Sequence, residues 1–142
     1  MKEKYNSSHL QNIAKRAIDL RIAVCDDEQH FRDSLVKAFS EYTNEGIKSI
    51  EIHEFSSGED LLSSENDYDI ISLDYKMSGI NGLETARELR RKDVTSKIIF
   101  ATNYMQFVYE AFEVRAFRFL RKPIKTEQLY KAIDDYIKRT DQ

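Results

Sequence analysis

Five short apolar runs, each followed by a stretch of helical periodicity, constrain the fold of this chain more than any other feature. The runs are Arg21 to Cys25, Ile47 to Phe55, Tyr68 to Leu73, Lys97 to Ala101 and Ala116 to Leu120. Each has the length of a strand, and the gaps between them leave room for crossover helices. Between Glu28 and Tyr42, apolar residues Phe31, Leu35, Ala38 and Phe39 recur at helical spacing. Ser57 to Leu62 opens with a capping-type serine, and Asn81 to Arg91 sets Leu83, Ala86 and Leu89 on one face. Tyr104 to Glu113 and Thr126 to Lys138 complete the series. Parallel neighbours need right-handed crossovers, so this alternation predicts an α/β fold: a doubly wound, five-stranded parallel sheet with helices on both faces. Such sheets bind ligands beyond the carboxyl ends of their strands.

At 142 residues the chain suits one domain with a real core. The strand-helix pattern occupies residues 21–140, and residues 1–20 are read as an N-terminal extension. Leu10, Ile13, Ala14, Ala17 and Ile18 fit a helical apolar stripe there, whereas Lys2 to Ser8 reads as a disordered tail, native or left by cloning.

Several function classes are disfavoured early. A formal net charge of -3 gives no reason to expect a nucleic-acid or membrane surface for the chain as a whole. The C-terminal part is locally basic, with eight Lys or Arg against four Asp or Glu from Arg115 onward. Cys25 is the only cysteine, so no intrachain disulfide is expected, and the three histidines lack zinc-site spacing. No apolar run approaches the length of a membrane span, and the N-terminus lacks the core of a secretory signal. A cytoplasmic location is the default expectation.

The chemistry lies at the strand ends. Asp26 and Asp27 follow the first run and Asp74 the third, so the three carboxylates should converge on one sheet edge. Clustered carboxylates repel one another unless a cation or a proton neutralises them. An all-oxygen cluster with few protein ligands suits Mg²⁺, which keeps several waters and shares a phosphate. Thr102 and Lys122 follow the fourth and fifth runs on the same edge, where a hydroxyl and an ammonium would suit a phosphoryl group. A carboxylate can itself accept that group as an acyl phosphate.

The segments Asp26-Asp27-Glu28, Ser72 to Glu84 with Asp74, Gly79 and Gly82, Ala101-Thr102-Asn103, and Phe119 to Pro123 stand in the order of a known signature. Together they resemble the receiver domain of two-component response regulators, over roughly residues 21–139. The resemblance implies the CheY-like (βα)5 fold with strand order 2-1-3-4-5. It implies Asp74 as phosphoacceptor, with Mg²⁺ held by Asp26, Asp27, Asp74 and the backbone carbonyl of Lys76. It further implies Lys122 on a phosphoryl oxygen, a cis peptide before Pro123, and a switch made by Thr102 and Phe119. A sensor histidine kinase would be the phosphoryl donor, and a homodimer through the fourth and fifth helices and the strand between them would be one output. The chain would turn over no external substrate and so would not be an enzyme. Ser78 departs from the family pattern, which has proline there, so a less rigid loop is expected after Asp74. Ile98 to Tyr104 and Tyr109 to Ile124 look most like receivers fused to LytTR-type DNA-binding domains. DNA would then be met only through an output domain beyond this chain.

Blander readings exist for each residue. An isolated Asp-Asp pair is more often a helix cap, and Lys122 without partners would be a solvated lysine. Phe119 alone would be core, Cys25 a small buried hydrophobe, His30 an idle surface residue, and Arg87 to Lys92 a solvated helix end. The joint occurrence of the carboxylates, Thr102 and Lys122 outweighs these. Among rival functions, an aspartate phosphatase of the haloacid dehalogenase type would need an Asp-x-Asp pattern. A flavodoxin-like carrier would need a phosphate loop where Cys25 to Glu28 is acidic. The remaining alternative is a pseudo-receiver, a phosphorylation-independent interaction module on the same fold.

Overall fold

Each apolar run forms a strand and each periodic stretch a helix in the computed structural model, which describes residues 17–140. The order is β1 (Ile18–Cys25), α1 (Gln29–Ser40), β2 (Ile47–Phe55), α2 (Gly58–Ser63), β3 (Ile70–Leu73), α3 (Gly82–Arg91), β4 (Lys97–Thr102), α4 (Val108–Glu113), β5 (Arg118–Arg121) and α5 (Thr126–Thr140). The strands make one parallel sheet in the expected order, β2-β1-β3-β4-β5.

The pleat of β1 shows how the two layers arise. Leu20, Ile22 and Val24 join a core with Leu35 and Phe39 of α1 and Leu129, Ile133 and Ile137 of α5. Ala23 and Cys25 point the other way, into a core built with Leu61 of α2, Leu83, Ala86 and Leu89 of α3, and Ala111 of α4. Alternation with period two thus places α1 and α5 on one face and α2, α3 and α4 on the other.

Three differences from expectation, two boundaries and one side chain, have clear physical causes. The first strand begins at Ile18, because Ile18 pairs with Ile47 and its N–H donates to Gly46 O at 2.9 Å. Ile18 therefore belongs to the sheet and not to the helical stripe expected over Leu10 to Ile18; Leu10, Ile13 and Ala14 lie outside the described residues. The helix expected from Tyr104 starts only at Val108. Thr102 Oγ1 accepts the Tyr104 N–H at 3.1 Å, and the Tyr75 ring lies between those of Tyr104 (5.9 Å between centroids) and Phe107 (4.1 Å). These side chains follow helical spacing but pack as an aromatic cluster. The third difference is Arg90, expected to be solvated. Its guanidinium donates to the carbonyls of Val114 (2.7 Å), Val94 (2.8 Å) and Ser96 (2.9 Å), tying the end of α3 to the turn after α4.

The cap expected at Ser57 forms, and a second one forms at Asn81. The Ser57 side chain accepts from Asp60 N at 3.1 Å. Asn81 and Glu84 form a reciprocal capping box, with Glu84 N to Asn81 Oδ1 at 2.8 Å and Asn81 N to Glu84 Oε1 at 3.2 Å. Among the described residues no helix is long and apolar enough to cross a membrane.

On α5, Tyr136 donates its hydroxyl to Asp69 Oδ1 at 3.3 Å. Burial, and then the Asp69 charge, push its phenol up from 10.0 to about 12. The folded-state value lies above the unfolded one, so this contribution to stability is complete below about pH 10 and is lost as pH rises towards 12. Tyr136→Phe should therefore lose less stability than the wild type on moving from about pH 9 to about pH 11, by about 1–2 kcal/mol. Urea unfolding at the two pH values measures this. Equal losses in the two proteins would remove Tyr136 from the alkaline limb.

Candidate functional site

The sheet ladder delivers the acidic residues to one edge. Beyond the end of β1, Asp26 N donates to Phe55 O at 3.0 Å, and Asp74 N donates to Cys25 O at 3.1 Å. Lys122 N donates likewise to Thr102 O at 2.9 Å. Each of these side chains thus leaves the backbone within one residue of a paired strand, on rigid supports. The Lys122–Pro123 peptide is cis.

Asp26, Asp27 and Asp74 each offer a carboxylate oxygen, and these oxygens lie within 4.8 Å of one another. Asp26 and Asp74 are buried, whereas Asp27 is exposed. Lys122 is only 4% exposed, and its Nζ reaches Asp26 Oδ2 at 2.7 Å and Asp74 Oδ2 at 3.0 Å. The remaining oxygens are held by backbone. Asp26 Oδ1 accepts from Glu28 N at 2.9 Å, and Asp74 Oδ1 accepts from Tyr75 N at 2.7 Å. The capping reading of the aspartate pair does not hold, since the residue at the start of α1 is Glu28.

The electrostatics follow from this crowding. Burial pushes the Asp26 carboxyl above its ordinary range and Asp74 adds to it, while the Lys122 and Glu28 hydrogen bonds act the other way. Burial works against the Lys122 charge, but the bonds to Asp26 and then Asp74 outweigh it and hold the ammonium's pKa above normal. The Cys25 thiol, buried beside these acids, is pushed up to about 12, first by burial and then by Asp26 and Asp74. It packs as a small side chain and offers no thiolate nucleophile at neutral pH.

Thr102 ends β4 and Phe119 lies on β5. Thr102 is fully buried, and its Oγ1 is engaged by the Tyr104 N–H. Phe119 is half-buried, opposite Phe100 in the β4–β5 register, with ring centroids 5.7 Å from Phe100 and 4.9 Å from Phe107. Lys76 is exposed, its ammonium 5.5 Å from the Tyr104 ring centroid.

Sequence reasoning missed two supports. The Ser78 N–H donates to Asp27 Oδ2 at 3.1 Å, a bond that a proline at this position could not make. The loop after Asp74 is therefore tied to the acidic cluster instead of loosened. Arg32 donates to the Asp26 carbonyl at 2.6 Å and pairs with Glu54 at 3.4 Å, clamping the first turn of α1. The Ser78–Asp27 and Arg32–Glu54 contacts have no short-range signal, since the partners lie on different loops or strands.

Comparison with known proteins decides the family. The response regulator receiver domain model matches residues 22–134. The chain belongs to this family. As a receiver it is 33% identical over 119 residues to the sensory transduction protein LytT of Bacillus subtilis, covering 84% of this chain and 48% of that protein. The LytT of Bacillus anthracis is 36% identical over 123 residues, again covering 84% of this chain and 48% of the relative. The receiver thus spans about half the length of these curated relatives. Among solved structures, the response regulator TrrA of Thermotoga maritima, in complex with Mg²⁺-BeF, is 30% identical with a TM-score of 0.72. That match covers 82% of this chain and 98% of TrrA. Receiver domains are signalling domains that interact with histidine kinases and bind Mg²⁺ at an acidic pocket. The donor set here fits that ion: three carboxylates, hard oxygen ligands only, one of them, Asp27, exposed to solvent.

Proposed function

We propose that this receiver accepts a phosphoryl group on Asp74 from a sensor histidine kinase and passes the signal to a transcriptional output. The observation that carries the reading is the convergence of Asp26, Asp27 and Asp74 within 4.8 Å, with Lys122 bridging the two buried carboxylates. Asp26, Asp27, Asp74 and the backbone carbonyl of Lys76 would hold Mg²⁺. When bound, the ion neutralises the carboxylates and charge on the transferring group.

The chain's own groups do the rest. An Asp74 carboxylate oxygen attacks phosphorus as the donor's P–N bond breaks, and the bonding electrons leave with the imidazole. Lys122 is already charged and lies 3.0 Å from Asp74, so it can shift one N–H to a phosphoryl oxygen without crossing the site. Thr102 uses its hydroxyl oxygen to accept from Tyr104, which leaves its O–H free to donate to a second phosphoryl oxygen. Drawing Thr102 inward frees space beside the Phe100–Phe107–Phe119 cluster, and Phe119 follows. The α4-β5-α5 face then repacks. That face carries Tyr109 and Phe112, 81% and 75% exposed, the large apolar side chains left uncovered among the described residues. A second copy of the receiver, or a LytTR-type DNA-binding output domain, would dock there.

Intact mass after treatment with acetyl phosphate and Mg²⁺ tests the reading. The wild type is expected to gain one phosphoryl group and Asp74→Ala none. A folded, Mg²⁺-bound wild type that gains nothing would favour the pseudo-receiver. A gain that survives Asp74→Ala would move the acceptor elsewhere.

A further inference from the structure

The Lys122 ammonium has three N–H donors, and the carboxylates of Asp26 and Asp74 take two. No further acceptor engages Nζ among the described residues; instead, the Phe31 ring centroid lies 4.0 Å from it. Phe31 sits half-buried on the first turn of α1, next to Arg32, whose bonds to the Asp26 carbonyl and Glu54 fix that turn. Beside the pair is a cavity of about 120 Å³ lined by Phe31, Leu35, Lys122, Pro123, Ile124 and Leu129, among others. The flexible four-carbon stem of a lysine has somewhere else to go.

We propose that Phe31 is a positioning residue: its ring face holds the Lys122 ammonium between Asp26 and Asp74 and so sets the rate of phosphoryl uptake. The proposal rests on Asp74 as acceptor and Lys122 as phosphoryl partner. Its logic is one of competition. A carboxylate or aliphatic hydroxyl in Phe31's place would take the third N–H and keep it from the incoming phosphoryl oxygens. A ring face attracts the cation through its quadrupole without offering a lone pair, so it orients the ammonium and yields it. A leucine there would fill similar space and offer no such attraction.

The test compares Phe31→Leu, Phe31→Tyr and a series in which Phe31 carries increasing ring fluorination, which drains the negative face while keeping the shape. Uptake from acetyl phosphate with Mg²⁺ should be roughly 3- to 10-fold slower in Phe31→Leu and near wild type in Phe31→Tyr. It should fall stepwise along the fluorinated series at unchanged thermal midpoint, a trend a merely structural role would not produce. A second readout needs no phosphoryl group: NMR of the unphosphorylated protein should show the Lys122 ammonium protons exchanging faster with water in Phe31→Leu. Uptake indifferent to fluorination, or ammonium exchange unchanged in Phe31→Leu, would overturn the proposal. A wild type that takes up no phosphoryl group would sink the acceptor reading and the rate claim with it. Faster exchange in Phe31→Leu would still establish the contact in that case.

Discussion

A Lys122→Met chain is expected to take up phosphoryl groups roughly 100- to 1000-fold more slowly than the wild type. Methionine keeps most of the volume of the stem and removes the one charge that bridges Asp26 and Asp74. The loss falls on the transfer step, because the ammonium is preorganised at Asp74, the proposed acceptor, and needs no recruitment from solvent. The same substitution should cost about 3 kcal/mol of stability without metal, since two buried carboxylates lose their shared partner. Mg²⁺ would then stabilise the variant more than it stabilises the wild type, because its proposed site is where the repulsion is worst. A time course of intact mass gives the rate, and thermal unfolding with and without Mg²⁺ gives the stabilities. Wild-type uptake in the variant would take Lys122 out of the chemistry. Equal Mg²⁺ responses would mean that the carboxylates are neutralised some other way.

The second large effect is expected at Gly82, the first residue of α3. A Cβ added there would sit 2.0 Å from the Asp74 carbonyl oxygen and 2.9 Å from its carbon. Both are backbone atoms of the proposed acceptor, so no side chain can swing aside. The N-terminus of α3 is also tied to the loop by Gly82 N to Tyr75 O at 2.7 Å. Gly82→Ala must therefore push α3 off the strand end or displace Asp74. A loss of about 3 kcal/mol is expected, a fall of roughly 10 °C in melting temperature, together with slower phosphoryl uptake. Gly46→Ala is the natural control. Its Cβ would meet only side chains, Ile137 Cγ2 at 2.9 Å and Asn44 Oδ1 at 3.3 Å, which can give. Thermal melts of the two variants side by side measure the difference, and equal small shifts would show that the Asp74 loop is looser than its contacts imply.

These two cases mark how far the residues could be read without coordinates. Gly82 stands in the receiver motif, yet no spacing says that its missing Cβ makes room for the Asp74 carbonyl. Lys122 was expected at the site, but its two partners are 96 and 48 residues away, and their distances depend on how β1, β3 and β5 are staggered. Phe31 read as one more member of an apolar helical stripe. Only the turn that Arg32 clamps, 3.4 Å from Glu54 on β2, brings its ring over Lys122.

Local chemistry carried the rest. The period-two and helical patterns sufficed for five strands, their helices and a parallel sheet covered on both faces, because each element must bury one face and parallel crossovers leave few topologies; the strand order came from the receiver resemblance. Ser57 announced its cap, as a cap's partners lie within three residues. The carboxylates could be assigned to one edge because every strand of a parallel sheet ends on the same side. What the residues could not announce were the boundaries and contacts made across the fold: the start of β1 at Ile18, the late start of α4, the Arg90 clasp and the Ser78–Asp27 bond. Each depends on a partner distant in sequence. Such partners become neighbours only when the sheet has closed and the helices have packed, so their geometry belongs to the folded molecule and not to any window of its sequence.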